Sequence, residues 1–177
     1  SVAYLEEGIL DPEAKVYNRG FFRNERLYPN YTLDDTAPPG DYDFVKAFKR
    51  SSNTYFIHYA LTPDDRTDQW QQGKRILLDW GNRFRLGKKT MESGTILGDE
   101  IPRPVREGGG YFPPRGNEFK KIDQYGKRAR WSAGDVANLC IGQGEITVTP
   151  LQMAVMTAAV ANGGKLMQPR LLLRMNS

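Results

Sequence analysis

The stretch that decides most about this chain is Ile141–Gly164, which reads IGQGEITVTPLQMAVMTAAVANGG. Thr149 is a good N-cap, Pro150 suits the first helical position, and Gln152 completes a capping box. The two glycines that close the stretch supply a left-handed stop. This pattern predicts a buried helix whose small-residue face packs closely against another helix. The face is formed by residues at helical spacing: Leu151, Ala154, Val155, Ala158 and Ala159.

Besides a short helix over Val2–Glu7, which Gly8 closes, three longer helices are predicted upstream of this stretch. Asp41 or Asp43 can cap a helix over residues 44–51, in which the apolar side chains share one stripe. A second helix begins at Asn53, ends at Pro63 and turns aromatic residues towards the core. The third and longest helix runs over residues 65–86, with apolar side chains four residues apart: Ile76, Trp80 and Phe84.

The rest of the chain is predicted to be irregular, with little strand. Tyr17–Phe22 carries an Asn and a Gly between aromatic residues, which predicts a small hairpin. Residues 88–130 hold the densest Gly and Pro usage, including three consecutive glycines. A segment of this length predicts a long loop excursion with a functional role or a lid rather than an ordinary connector.

Composition narrows the possible function classes. The 177 residues carry a net charge of +4, dispersed along the chain, and no zinc-finger, helix-turn-helix or RNA-binding motif argues for nucleic acid. A single cysteine, Cys140, excludes an internal disulfide, and with the single histidine, His58, it gives poor support for a nucleophile–base pair or a metal site. The sequence contains no run of about 18 apolar residues, so it predicts no membrane span within these residues.

The candidate chemistry lies in Ser51-Ser52-Asn53, at the predicted junction of two helices. A Ser hydroxyl and an Asn amide two residues apart can face the same cleft, where the hydroxyl relays a proton and the amide holds a peptide carbonyl. Ser and Asn at a helix start are equally typical of simple capping, so the triplet by itself leaves both interpretations open.

Several stretches together resemble the class B penicillin-binding proteins, the peptidoglycan D,D-transpeptidases, and in particular their cell-elongation members. The resemblance is strongest over residues 131–164, which contain the Ile-Gly-Gln-Gly sequence, and it is good over residues 44–57. The approach to the Ser-x-Asn triplet, Phe48–Phe56, resembles the family's second motif, and Ala3–Ile9 resembles the part of the nucleophile helix that follows Ser-x-x-Lys.

Two family motifs are missing from these residues. No Ser-x-x-Lys occurs, and no Lys-Thr-Gly occurs; Lys89-Thr90-Met91 is the nearest match and lies in the wrong order. The resemblance therefore implies that residues 1–177 are the interior of a transpeptidase domain, catalytically inactive as given. We expect a mainly α fragment with long loops, the helical part of the α/β fold that penicillin-binding transpeptidases share with serine beta-lactamases.

The resemblance also implies roles and partners. Ser51 would pass a proton to the leaving D-Ala amine and Asn53 would bind the donor peptide backbone, whereas Ser52 would point into packing. The substrate would be a peptidoglycan stem peptide ending in D-Ala-D-Ala, with beta-lactams as mimics and the cell-wall elongation machinery as partner. No cofactor or metal is implied. The whole protein of which these residues would be a part would be anchored in the cytoplasmic membrane and act in the periplasm.

Two alternatives remain open. A beta-lactam sensor or class D beta-lactamase relative shares the motifs but generally lacks wording of the Ile141–Gly164 type. A non-catalytic helical interaction module would use Ser51 and Asn53 only as caps. The flanking sequence would discriminate, because an interaction module needs no upstream Ser-x-x-Lys.

Overall fold

The computed structural model describes residues 1–24, 32–61, 69–90, 107–115, 119–122 and 128–169. Two compact units make up the chain, one of Ser1–Asp79 with Arg115–Gly144 and the other of Trp80–Pro114 with Glu145–Ser177. The elements, in chain order, are α1 (Val2–Glu6), β1 (Val16–Asn18), β2 (Phe21–Arg23), β3 (Thr32–Asp34), β4 (Gly40–Tyr42), α2 (Phe44–Arg50), α3 (Asn53–Leu61), α4 (Gln69–Arg83), β5 (Phe119–Ile122), β6 (Arg128–Arg130), α5 (Ala133–Cys140) and α6 (Pro150–Ala161).

Helix α3 forms the core of the first unit. It packs against β1, β2, α2 and α5, and its Ile57, Ala60 and Leu61 are fully buried. A helix that is apolar around most of its circumference is expected to lie inside a protein, and α3 does so. Helix α5 begins with a capping box between Ser132 and Asp135 and buries its apolar side chains as well.

The close approach of α4 to α3 depends on one glycine. A Cβ at Gly73 would overlap the backbone carbonyl of Ala60, so no larger residue fits there without a shift of one helix. The Tyr4 hydroxyl donates to the Gly73 carbonyl at 3.2 Å and links α1 to the same point. Helix α4 is described from Gln69, and residues 65–68 of the predicted helix lie outside the described part of the chain.

The hairpin predicted at Tyr17–Phe22 is wrong, as the pairing of the strands before α2 shows. Strands β1 and β2 do not pair with each other: β1 pairs with β4 and β2 with β3, both antiparallel. The Asn18 side chain accepts from the Gly20 N–H at 2.7 Å, and this local turn bends the chain instead of reversing it. The result is one long ribbon, interrupted by residues 19–20 on one arm and 35–39 on the other.

The mainly α-helical character with long loops is confirmed among the described residues, where the strands form only two-stranded pairs. The excursion expected over residues 88–130 contains one such pair, β5 with β6, so it is not loop alone. Most of its remaining residues lie outside the described part of the chain.

The caps of α6 agree with the sequence, but its buried face does not. Thr149 and Gln152 form the predicted capping box, and Gly163 and Gly164 follow the helix with positive φ angles of 77° and 94°. Of the five residues expected on the buried face, Val155 and Ala159 are buried and Leu151 half-buried, whereas Ala154 and Ala158 are exposed. Small apolar residues occupy most of the helix circumference, so spacing alone could not select the face.

Gln152 is the polar centre of the second unit. The side chain is 1% exposed, and its amide donates to the carbonyls of Lys88 and Gly109 at 2.6 and 2.7 Å. Its carbonyl oxygen accepts from the N–H groups of Thr149 and Gly87 at 3.2 and 3.3 Å. One side chain thus caps α6 and holds two loop segments against it.

We expect Gln152→Leu to lower the free energy of unfolding by about 1–3 kcal/mol, because the buried carbonyls and N–H groups lose their partner. The matched control is Thr157→Ala, an exposed change on the same helix that should stay within about 0.5 kcal/mol of wild type. Urea unfolding followed by circular dichroism measures both. Equal stability of the two variants would show that Gln152 is not a structural centre.

Candidate active site

The Ser-x-Asn triplet lies at the junction of α2 and α3. Helix α2 ends in a Schellman motif: the Ser51 N–H donates to the Phe48 carbonyl at 3.3 Å and the Ser52 N–H to the Ala47 carbonyl at 3.0 Å. Ser51 adopts the left-handed conformation this motif requires, with φ 54° and ψ 46°. Glycine is usual at this position, and a serine there costs about 1–2 kcal/mol. The Ser51 side chain is exposed.

Ser52 is fully buried and caps α3. Its hydroxyl accepts from the Tyr55 N–H at 3.4 Å, in the manner of an N-cap serine. The same hydroxyl donates to a carboxylate oxygen of Asp35 at 2.8 Å and accepts from the Asn18 amide at 3.4 Å. The middle residue of the triplet therefore points into the protein, as expected for Ser52.

The Asp35 carboxylate completes the cap of α3. One oxygen accepts from the N–H groups of Ala37 and Asn53 at 3.0 and 3.2 Å, and the other accepts from the Thr54 N–H at 2.8 Å and from Ser52. A negative charge at a helix N-terminus is also stabilised by the helix dipole. Burial by itself would raise the pKa of Asp35, but these donated hydrogen bonds outweigh it and bring the pKa below its ordinary value.

Asn18 fixes the segment that carries Asp35. The side chain is 1% exposed and lies where the β1–β4 pairing gives way to the β2–β3 pairing. Its amide donates to the Ala37 carbonyl at 3.2 Å in addition to the Ser52 hydroxyl. The interruption in the ribbon is therefore tied directly to the start of α3.

Asn53 takes no part in capping through its side chain. It is half-buried, and its amide donates to the Asp34 carbonyl at 3.4 Å, a long and weak hydrogen bond. The Asn53 amide and the Ser51 hydroxyl are thus the two side chains of the triplet that the cap leaves available. Chemically, an exposed hydroxyl can relay a proton and a primary amide can bind a peptide carbonyl.

The other candidate groups have structural roles. Burial raises the pKa of the Cys140 thiol to about 12, and the thiol donates to the Ala137 carbonyl at 3.0 Å, so Cys140 is not an activated nucleophile. Thr90 belongs to Lys89-Thr90-Met91, the best sequence match to Lys-Thr-Gly. It is buried, and its N–H and hydroxyl both donate to the Glu107 carboxylate at 2.7 Å.

Among the described residues, no group of three or more His, Cys, Asp or Glu side chains is arranged to hold a metal ion. Within the same residues, no helix is long and apolar enough to cross a membrane. Helix α5 ends in a tight turn at Gly142, whose φ is 78°, and the Gln143 N–H donates to the Asn138 carbonyl at 2.8 Å.

Sequence reasoning did not identify Asp35 or Asn18. The available signals were local: Asp35 and Ala37 form an Asx turn, and Asn18 and Gly20 form another. Such signals predict turns but not the partner of a turn, since α3 lies 17 to 19 residues beyond Asp35 in the chain.

We expect Asp35→Asn to destabilise the chain at neutral pH by about 1–2 kcal/mol, the usual effect of losing a cap. Because the folded pKa of Asp35 lies below the unfolded value of 3.8, its contribution is complete above pH 3.8 and declines as the pH falls through the folded pKa. The stability difference between wild type and Asp35→Asn should therefore narrow at acidic pH.

Chemical unfolding between pH 2 and 7 measures this difference. Asp34→Asn is the matched control, because Asp34 contacts Asn53 through its backbone carbonyl and its side chain is exposed. A difference between wild type and Asp35→Asn that does not narrow as the pH falls from 7 to 2 would contradict a charged cap.

Comparison with known proteins shows the family of the chain. Residues 1–176 match the penicillin binding protein transpeptidase domain. The peptidoglycan D,D-transpeptidase MrdA of Haemophilus influenzae is 30% identical over 97% of the chain, and that of Acinetobacter baumannii is 29% identical over 95%. The chain spans 23% and 21% of the lengths of these two relatives.

Solved structures agree as well. Pseudomonas aeruginosa PBP2, crystallised in complex with WCK 5153, matches with a TM-score of 0.69 and 26% identity over 96% of the chain and 32% of its own. PBP2 from Helicobacter pylori, in complex with MreC, has a TM-score of 0.63 and 21% identity over 96% of the chain and 27% of its own, so it shows the shared fold alone. The chain belongs to the penicillin-binding protein transpeptidase domain family.

Proposed function

We propose that this chain is part of a serine D,D-transpeptidase that cross-links peptidoglycan stem peptides through an acyl-enzyme. One observation carries the proposal: Ser52 and Asp35 cap α3, so Ser51 and Asn53 are not needed as caps. Ser51 adopts the left-handed conformation that favours glycine, as Arg85 also does, and its exposed hydroxyl therefore sits on a strained backbone. Strain of this kind clusters at functional sites.

The proposed reaction has two steps. A serine supplied from outside these 177 residues attacks the carbonyl of the penultimate D-Ala, and the terminal D-Ala leaves with a proton on its amine. An amine of a neighbouring stem peptide then attacks the acyl-enzyme and releases the serine with its proton restored. Ser51 relays the proton to the leaving amine, and Asn53 donates an amide hydrogen to the carbonyl of the donor peptide.

The capping geometry separates this proposal from a non-catalytic interaction module. In such a module, Ser51 and Asn53 would satisfy the backbone groups at the helix junction with their own side chains. A beta-lactam sensor or class D beta-lactamase relative is disfavoured by the sequence relatives, which are peptidoglycan transpeptidases.

The same relatives support a proposal for the partners and the location. We propose that the whole protein is anchored in the cytoplasmic membrane, acts in the periplasm and works with the cell-wall elongation machinery. The complex of the Helicobacter pylori PBP2 with MreC is consistent with that partner class. Beta-lactams would bind as mimics of the D-Ala-D-Ala terminus. The 177-residue chain alone would form no acyl-enzyme, since it contains no Ser-x-x-Lys.

The test is acylation of the whole transpeptidase domain, including the flanking sequence, by a fluorescent penicillin. We expect Ser51→Gly to lower the acylation rate by about 100-fold, because the proton relay is lost. The same change should leave stability equal or raise it by about 1 kcal/mol, because glycine relieves the left-handed strain. Asn53→Ala should weaken acylation through the apparent affinity for the penicillin as well as through the rate.

Lys49→Ala is the control, an exposed change in the last turn of α2 that should leave acylation unchanged. Wild-type labelling that persists in Ser51→Gly and Asn53→Ala would contradict the assigned roles. Absence of any label on the wild-type domain would contradict the function itself.

A further inference from the structure

We propose that Asp35 is a positioning residue for acyl transfer, which sets the geometry of Ser51 and Asn53 without touching substrate. The inference rests on the proposed function and extends it to a residue outside the Ser-x-Asn motif. Asp35 lies between β3 and β4, in the interruption of the ribbon, and acts on the motif only through hydrogen bonds.

The Asp35 carboxylate has no capacity left for a ligand. It accepts four hydrogen bonds, two at each oxygen, at distances of 2.8 to 3.2 Å. Two carboxylate oxygens offer about four acceptor sites in all. A group saturated in this way cannot act as a general base, so its influence on the reaction has to pass through the residues it holds.

Those hydrogen bonds hold the start of α3 at two points, the two oxygens of the planar Asp35 carboxylate. The Asn53 N–H binds one oxygen and the Thr54 N–H binds the other, so a rotation of the first turn would break at least one of them. The Asn53 side chain leaves the backbone at this anchored residue. The carboxylate plane therefore fixes the direction of the Asn53 Cα–Cβ bond, from which the amide extends.

The same carboxylate acts on Ser51 through Ser52. Because the Ser52 hydroxyl donates its single proton to Asp35, its lone pairs are free to accept from Tyr55 and Asn18. Ser52 is also the residue whose N–H completes the Schellman motif at Ser51. Loss of the carboxylate would release Ser52 and with it the left-handed turn.

Asparagine cannot replace this carboxylate. The amide of Asp35→Asn would place an NH₂ group against donors that now meet an oxygen, either at Ala37 and Asn53 or at Ser52 and Thr54. Glutamate would keep the charge but carries one more methylene. A displacement of about 1 Å at a catalytic group can cost about 100-fold in rate.

The test separates the rate constant of acylation from the affinity for the unreacted penicillin in the whole transpeptidase domain. We expect Asp35→Asn to lower the acylation rate constant about 10- to 100-fold and to weaken the affinity for the unreacted penicillin as well, by less than Asn53→Ala does. Asp35→Glu should recover part of the rate. Asp34→Asn, the neighbouring exposed carboxylate, should match wild type in both constants.

A second readout does not depend on activity. Amide hydrogen exchange of the 177-residue chain should speed up at least about tenfold at Asn53 and Thr54 in Asp35→Asn, whereas Ile57 in the middle of α3 should change little. This result together with an unaltered acylation rate constant in the folded variant would overturn the positioning role. Absence of label on the wild-type domain would overturn the proposed function and this inference with it.

Discussion

The Asp35 carboxylate at the N-terminus of α3 is the interaction on which the rest of the site depends. Helix α3 is the core of its unit, and the N-cap Ser52 satisfies only one of its first N–H groups, that of Tyr55. A carboxylate from the preceding ribbon accepts from two of its backbone N–H groups and from Ser52. Because the charge sits at the positive end of the helix dipole, cap and dipole act in the same direction. The junction with α2 is thereby held in one geometry.

This arrangement gives the three residues of the Ser-x-Asn triplet different surroundings. Ser52 is buried, and its hydroxyl makes hydrogen bonds to Asp35, Asn18 and Tyr55. Ser51 is exposed and has a strained backbone, and the Asn53 side chain makes only one long hydrogen bond. A protein selected for stability alone would place glycine at the left-handed position. Serine at this position instead leaves an exposed hydroxyl on a strained backbone.

The local elements of the fold were predictable from sequence, and the long-range ones were not. The caps at Asp43 and Thr149 follow from patterns within four residues, and both form as expected. The hairpin at Tyr17–Phe22 is wrong, because β1 and β2 find their partners beyond their own turn. Ala154 and Ala158 show a further limit, since a helix apolar on several faces does not reveal which one is buried.

The candidate site follows the same division. The resemblance to the family led to Ser51 and Asn53, and the inward direction of Ser52 was expected. No periodicity or motif could have joined Asp35 to α3, because the ribbon between them decides the distance in space. Gln152 has one role of each kind. Its capping role could be predicted from the neighbouring residues, whereas its hydrogen bonds to Lys88 and Gly109 depend on how the second unit folds.

We propose that Asp35 and Ser52 hold the backbone so that Ser51 and Asn53 can act on substrate. A crystal structure of the penicillin acyl-enzyme of the whole transpeptidase domain tests it most directly. We expect the Asn53 amide to donate to the carbonyl of the penicillin side chain and the Ser51 hydroxyl to lie within hydrogen-bond distance of the leaving nitrogen, with the four hydrogen bonds of Asp35 intact. An acyl-enzyme in which Ser51 and Asn53 do not contact the ligand would contradict the account.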